Sequence, residues 1–164
     1  MAKRTMRTPG ARLERRSRVM RVLNVPVRTL LELPFKTPLN NRLVLVCFTG
    51  RKSGRPYRQP VSYVSEGDTL LTPGGGRWKL NLRDGETVRL RLDGREVAAR
   101  PEFVRDFEEV RRLVLYMVSV NRRLASFVPF VEPDGTIAPA KLETALEYGF
   151  IVVRWHLEGG RPSS

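Results

Sequence analysis

Short runs in which apolar and polar residues alternate fill the middle of the chain, and this pattern predicts β-strands. In Val88–Leu92 every second residue is apolar and arginines lie between them, so one face packs into a core and the other meets water. The sequences Glu66-Gly67-Asp68 and Asp93-Gly94 are typical of hairpin turns. The pattern predicts six strands, at residues 43–48, 57–64, 69–72, 87–92, 96–101 and 150–155.

Helical spacing appears later in the chain. Apolar residues three and four apart, from Phe103 to Met117, predict a helix over residues 103–120. In that helix Arg111 and Arg112 face water. A second helix is predicted at residues 139–148.

The N-terminal region has a different character. Residues 1–10 are charged and lack apolar periodicity, which predicts a disordered basic arm. Residues 11–34 carry a patchy apolar stripe among arginines and predict a pair of basic amphipathic helices. The rest, residues 35–164, is predicted to be one mainly β domain, a small antiparallel barrel flanked by helices.

Composition narrows the classes of function. The chain of 164 residues has one cysteine, Cys47, and one histidine, His156, so neither an intramolecular disulfide nor a transition-metal site is expected. The net charge of +13 favours anionic partners: lipid, nucleic acid or an acidic ligand. No nucleic-acid-binding module is recognisable, so no specific nucleic acid is expected. No apolar run could span a bilayer, and we expect a cytoplasmic protein, with peripheral contact at the inner face of the membrane as an open alternative.

The segment between the first two predicted strands is the main candidate for chemistry. Four cations, two glycines and Ser53 fall between Thr49 and Pro60. Glycines let backbone amides turn toward a ligand, and arginines hold phosphate or carboxylate through paired hydrogen bonds. The segment is not a nucleotide P-loop, because only three residues separate Gly50 from Gly54 and an extended run follows. It predicts a hairpin that receives an anionic small molecule, with a solvated basic turn as the alternative.

Five separate elements between residues 40 and 102 occur in a characteristic order. They are Phe48-Thr49-Gly50-Arg51-Lys52-Ser53-Gly54-Arg55-Pro56, then Arg58, Pro60 and Tyr63, then Gly67-Asp68, then Gly75-Gly76, and then Trp78 with Asn81-Leu82. This arrangement resembles the deazaflavin-dependent nitroreductase family of the flavin/deazaflavin oxidoreductase superfamily. The resemblance implies an FMN-binding-like split β-barrel of about six strands, often a homodimer. It also implies binding of the deazaflavin coenzyme F-420 and hydride transfer to an organic acceptor.

The resemblance also implies which residues form the cofactor site. The tail of the coenzyme, which carries a phosphodiester and glutamate, would bind Lys52 and Arg58, with Arg51 and the backbone amides of Ser53 and Gly54 beside them. The remaining cofactor-binding residues that it implies are Pro60, Gly75, Gly76, Trp78, Asn81 and Leu82. The alternative role of Trp78 is that of a large aromatic residue anchored in the core. The alternative for Gly75 and Gly76 is that they form a mobile hairpin tip.

The chemistry implied by the resemblance leaves several alternatives open. The proton for the product would come from Tyr63, Tyr116 or water. The stretch around Tyr116 holds one tyrosine and two arginines, unlike the tyrosine-rich helix of well-studied members. The leading hypothesis is therefore an F-420-dependent oxidoreductase that reduces a quinone-like or nitroaromatic, apolar acceptor. Alternatives are an FMN-binding oxidoreductase, a deazaflavin carrier without turnover, and a basic nucleic-acid-binding protein.

Overall fold

The computed structural model of this protein describes residues 43–160. The predicted arm at residues 1–10 and the predicted helices at residues 11–34 lie outside the described residues. The strands are β1 (Leu43–Thr49), β2 (Pro56–Ser62), β3 (Val64–Glu66), β4 (Thr69–Pro73), β5 (Val88–Leu92), β6 (Arg95–Val104) and β7 (Val152–Leu157). The α-helices are α1 (Phe107–Val120) and α2 (Pro139–Glu147), and short 3-10 helices span Arg77–Asn81 and Arg122–Ser126.

All seven strands belong to one antiparallel sheet in the order β2-β1-β5-β6-β7-β4-β3. The two edge strands, β2 and β3, are consecutive in the chain and only Tyr63 separates them. Because one residue links opposite edges, the sheet curls into a half-barrel. The predicted mainly β fold, a split barrel with flanking helices, is confirmed. Residues 43–160 contain seven strands and not six because the run predicted at residues 57–64 bends at Tyr63, pairing first with β1 and then with β4.

Strand alternation produces two cores. On β4, Leu70 packs inside the barrel with Trp155, whereas Leu71 packs on the outside against the helices. The indole N–H of Trp155 donates to the hydroxyl of Thr72 at 3.0 Å, so the polar atoms of these two buried residues satisfy each other. Both faces of β4 and β7 therefore carry buried side chains, which pack inside the barrel on one face and in the cluster that contains α1 on the other.

Helix α1 begins later than the sequence pattern predicts. Phe103 lies in β6 and not in the helix, because β6 continues pairing with β7 as far as Val104. Asp106 then caps the helix: its carboxylate accepts a hydrogen bond at 2.9 Å from the backbone N–H of Glu109. The predicted burial of Val110, Val114 and Met117 and the exposure of Arg111 and Arg112 are confirmed. No helix within residues 43–160 is long and apolar enough to cross a membrane.

An ion-pair network ties α1 to the outer face of the sheet. Arg154 on β7 lies 2.8 Å from a carboxylate oxygen of Glu102, 2.8 Å from one of Glu109 and 3.5 Å from one of Glu66. Arg112 on α1 contacts Glu109 at 2.7 Å and Glu66 at 3.2 Å. The network joins β3, β6, β7 and α1, so it holds the helix in place over the half-barrel.

Candidate functional site

The turn between β1 and β2 is closed by its own backbone. The N–H of Gly54 donates to the carbonyl of Gly50 at 2.8 Å, and the N–H of Gly50 donates to the carbonyl of Arg55 at 2.8 Å. Gly54 has a positive φ of 65°, which favours glycine. The predicted use of the Gly54 amide as an anion donor is therefore not supported, because that amide is engaged inside the turn.

Gly50 is required for a different reason. A Cβ at this position would lie 2.5 Å from the hydroxyl oxygen of Ser53 and 2.6 Å from the ring of Tyr57. The Ser53 hydroxyl also accepts a hydrogen bond at 3.3 Å from the N–H of Arg55 and lies 3.3 Å from the Tyr57 hydroxyl. A side chain at Gly50 would push these groups apart and distort the turn.

The turn is attached to the 3-10 helix Arg77–Asn81. The backbone N–H of Arg51 donates to the side-chain oxygen of Asn81 at 3.1 Å, and the Arg51 guanidinium donates to the carbonyl of Leu80 at 3.3 Å. The amide group of Asn81 in turn donates to the carbonyl of Trp78 at 3.2 Å. Asn81 thus joins two segments that are thirty residues apart in sequence.

Between these two segments lies an open groove of about 800 Å³. Its lining comprises three cations, three aromatic residues, one aliphatic residue, two glycine or serine positions and two amides. They are Arg51, Lys52, Arg77, Phe48, Tyr57, Trp78, Leu80, Gly50, Ser53, Gln59 and Asn81. None of these side chains is acidic, and within residues 43–160 none of the three cations makes an ion pair. A groove with this charge is complementary to an anion.

Stacked aromatic rings form the wall of the groove. Phe48 and Tyr57 face each other across β1 and β2, with ring centroids 5.7 Å apart and planes 17° apart. Trp78 stacks on Trp155 at 6.5 Å and 14°. The sequence left Trp78 as either a cofactor-binding residue or a core anchor. In the structure it packs against the barrel core and also borders the groove.

The structure brings together five of the predicted cofactor-binding residues. Arg51, Lys52, Ser53, Trp78 and Asn81 all line the groove. Their convergence follows from the contact between the turn and the 3-10 helix. Lys52 is exposed at the tip of the turn, where its ammonium is available to a ligand.

Arg58 and Pro60 lie on the other face of β2. Tyr57 and Gln59 line the groove, and alternation along the strand turns Arg58 to the opposite side, where it is paired across the sheet with Cys47. Burial raises the pKa of the Cys47 thiol, and the positive charge of Arg58 opposes that shift. The structure thus separates Arg58 from the cations of the groove.

The remaining predicted residues do not line the groove. Leu82 is buried in the barrel core, and Gly75 and Gly76 lie on the exposed approach to the 3-10 helix. A Cβ on Gly76 would come within 2.7 Å of the Trp78 ring, so glycine there allows the ring its position. The neighbouring Gly74 is buried, and its N–H donates to the carbonyl of Ile151 at 2.8 Å. Gly74 and Gly76 therefore do not line the groove, but they lie in the segment before the 3-10 helix, and Gly76 leaves room for the ring of Trp78.

Neither predicted proton donor borders the groove. Tyr63 is 5% exposed and belongs to the core inside the barrel. Tyr116 lies on α1, and its hydroxyl donates to the carbonyl of Ser65 on β3 at 2.8 Å. Their role as proton donors stays a prediction, and the groove itself offers the Tyr57 hydroxyl, which the sequence analysis did not select.

Six groove residues are not among the predicted site residues: Phe48, Tyr57, Gln59, Gly50, Arg77 and Leu80. For the first three a signal existed. Each lies an even number of residues from a core position on its own strand, so each continues an inward-facing row toward the turn. No such signal marks Arg77 and Leu80, because the 3-10 helix that carries them was not predicted.

No protein-family model and no curated protein matches this chain.

Proposed function

We propose that this protein is an oxidoreductase that binds a deazaflavin of the F-420 type in the groove and reduces a quinone-like or nitroaromatic acceptor. The observation that carries the proposal is the groove of about 800 Å³ with cations at the turn and aromatic rings in its wall. The resemblance of residues 40–102 to the deazaflavin-dependent nitroreductases supports the same function.

The donor set fits the chemistry of the coenzyme. Its tail carries a phosphodiester and carboxylates, and Arg51, Lys52 and Arg77 offer guanidinium and ammonium groups at the groove without competing acids. Its ring is flat and hydrogen-bonding, and the lining of the groove includes the aromatic side chains of Trp78 and Tyr57, against which such a ring would pack. The protein's task in this reaction is to bind and orient, since the coenzyme carries the chemistry.

Orientation depends on the contacts that hold the groove in shape. Asn81 fixes the turn to the 3-10 helix, and the stack of Trp78 on Trp155 fixes that helix to the barrel. A preformed groove limits the entropy lost on binding and holds donor and acceptor at a reactive distance. When bound in reduced form, deazaflavin would supply hydride, and with one proton the acceptor would gain two electrons and two hydrogens.

The first experiment is a titration of the protein with oxidised F-420, following the fluorescence of the coenzyme. Saturable quenching is expected, and it should weaken as salt rises because the contacts are with exposed cations. FMN is titrated in parallel, since its phosphate would satisfy the same cations. Binding of FMN without F-420 would replace the coenzyme in the proposal, and binding of neither would contradict it.

The second experiment separates an enzyme from a carrier. Reduced F-420 bound to the protein is mixed with menadione in a stopped-flow instrument, and its oxidation is followed against a protein-free control. Faster oxidation with the protein supports the oxidoreductase. Tight binding with no acceleration by quinones or nitroaromatics would favour the carrier.

A further inference from the structure

A second cavity lies beside the groove and shares Arg51 and Leu80 with it. Its volume is about 360 Å³, in the range of small-molecule sites. It is bordered by the 3-10 helix Arg77–Asn81, the end of β6 and the loop between α2 and β7. Its apolar lining is rich in large side chains, including Leu82, Phe103 and Phe150.

Three cations also line this cavity, and the structure assigns them different roles. Lys79 donates to the carbonyls of Gly74 and Gly149 and so ties the 3-10 helix to the loop before β7. Burial lowers the pKa of Lys79, and the nearby charge of Arg105 lowers it further. Lys79 therefore holds the walls of the cavity together and is not placed to serve as a mobile anion contact.

Arg51 is shared with the groove and bonds to Asn81 and Leu80, so Arg105 is the remaining cation, which this cavity does not share. Its guanidinium lies over the ring of Phe103, 5.2 Å from the centroid. The side chain is exposed, and it makes no ion pair within residues 43–160. Stacking on the ring holds the guanidinium at an apolar cavity whose lining contains no carboxylate.

We propose that this cavity binds the acceptor and that Arg105 selects an apolar ring compound with one negative charge over a neutral compound of the same size. The proposal rests on the proposed function, because the shared residues Arg51 and Leu80 place the cavity next to the groove. The apolar lining favours the ring, and the guanidinium pairs with the anionic oxygen. The acceptor class is thus the hydroxyquinones and related reducible aromatic compounds that carry an anionic oxygen.

The test compares two naphthoquinones of similar size: lawsone, a hydroxynaphthoquinone that is an anion at neutral pH, and menadione, which is neutral. The protein loaded with reduced F-420 is assayed with each, and the ratio of their kcat/KM values is compared between parent and variant. Their different reduction potentials cancel in that comparison. Arg105→Gln is expected to lower kcat/KM for lawsone by about tenfold and to leave menadione within about twofold. Arg105→Lys keeps the charge and should retain most of the preference.

Two matched variants locate the effect. Lys52→Gln removes a cation of the groove that does not line the cavity, so it should weaken F-420 binding without changing the ratio. Arg111→Gln removes an exposed cation of α1 that lines neither site and should change neither quantity. A melting curve for each variant checks that the fold is intact.

Failure of this proposal is distinguishable from failure of the proposed function. If both quinones are reduced and Arg105→Gln leaves the ratio unchanged, the cavity proposal is overturned and the oxidoreductase stands. If neither quinone is reduced, binding of lawsone to the parent and to Arg105→Gln is measured by quenching of tryptophan fluorescence. A tenfold weaker affinity in the variant supports the site, and equal affinity overturns it.

Discussion

The groove and the ion-pair network on the outer face of the sheet both concentrate cations, but they use them in opposite ways. In the network, the side chain of Arg154 contacts three carboxylates and is 17% exposed, so its charge is neutralised by neighbouring residues of the fold. In the groove, Arg51, Lys52 and Arg77 are lining residues, and no lining residue is acidic. Like charges held together repel, and an arriving anion relieves that repulsion. The comparison predicts that removing a cation of the network lowers stability, whereas removing a cation of the groove weakens binding of the proposed ligand.

The largest expected effect is on ligand affinity. Lys52→Ala should weaken F-420 binding by about ten- to a hundredfold, because one charge-assisted contact is lost. The melting temperature should stay that of the parent, since Lys52 is exposed at the tip of the turn. Fluorescence titration and a thermal melt measure the two quantities, with Arg111→Ala as the charge-matched control. Unchanged affinity would refute the assignment of the turn to anion binding.

The reverse pattern is expected for the centre of the network. Arg154→Met should lower the free energy of unfolding by about 1–3 kcal/mol, because it removes a partly buried cation that contacts Glu66, Glu102 and Glu109 together. Affinity for F-420 should stay the same. The control is Arg100→Met on β6, whose side chain is 60% exposed and which should cost less than about 0.5 kcal/mol. Equal denaturation curves for the two variants would show that the network does not stabilise the fold.

The network also predicts a pH dependence of stability. Hydrogen bonds from Arg112 and then Arg154 lower the pKa of Glu109 to about 2. A carboxyl whose pKa is lower in the folded state stabilises the fold above its unfolded pKa, and this stabilisation is lost as the pH falls toward the folded value. The melting temperature should therefore fall between about pH 5 and pH 2, and Glu109→Gln should reduce that slope.

The matched control for the pH profile is Glu108→Gln. Glu108 lies next to Glu109 on α1, but its side chain is 75% exposed and its contact with Arg111 is 3.6 Å long. Its removal should leave the slope of the parent. If both variants give the same profile, another group controls acid unfolding.

The smallest effect is expected at Arg58. The resemblance implied that this residue binds the tail of the coenzyme, whereas the structure places it on the face of β2 opposite the groove. Arg58→Ala should therefore change F-420 affinity by less than about threefold. A loss as large as that of Lys52→Ala, measured in the same titration, would indicate that the tail crosses the edge strand β2.

Local patterns were sufficient for most of the elements. Strict alternation in Val88–Leu92 identified β5, and the turn at Asp93 and Gly94 has the two positive φ values, 51° and 76°, that such a hairpin needs. The spacing of Val110, Val114 and Met117 identified the buried face of α1. The alternation, the turn and the helical spacing depend on residues that are close in sequence, so they can be predicted from the sequence alone. The predictions for residues 1–34, for a homodimer and for contact with anionic lipid stay predictions.

The site needed the tertiary structure. The resemblance implied Arg51, Lys52, Trp78 and Asn81 as cofactor-binding residues, and all four line the groove. The resemblance also implied Arg58, but it did not reveal on which side of β2 that residue lies, because the side follows from the register with β1.

What the sequence by itself determined is the mainly β architecture and the basic, glycine-rich turn. Tertiary contacts determine that the chain bends at Tyr63 and that Phe103 belongs to β6. They also place the 3-10 helix against the turn, where the two segments form the groove. The physical reason is the distance in sequence over which each kind of information acts. Periodicity shows which face of one strand or helix is apolar and which is polar, and it says nothing about contacts with other segments. Sheet closure and the meeting of residues thirty positions apart depend on contacts that no single segment contains.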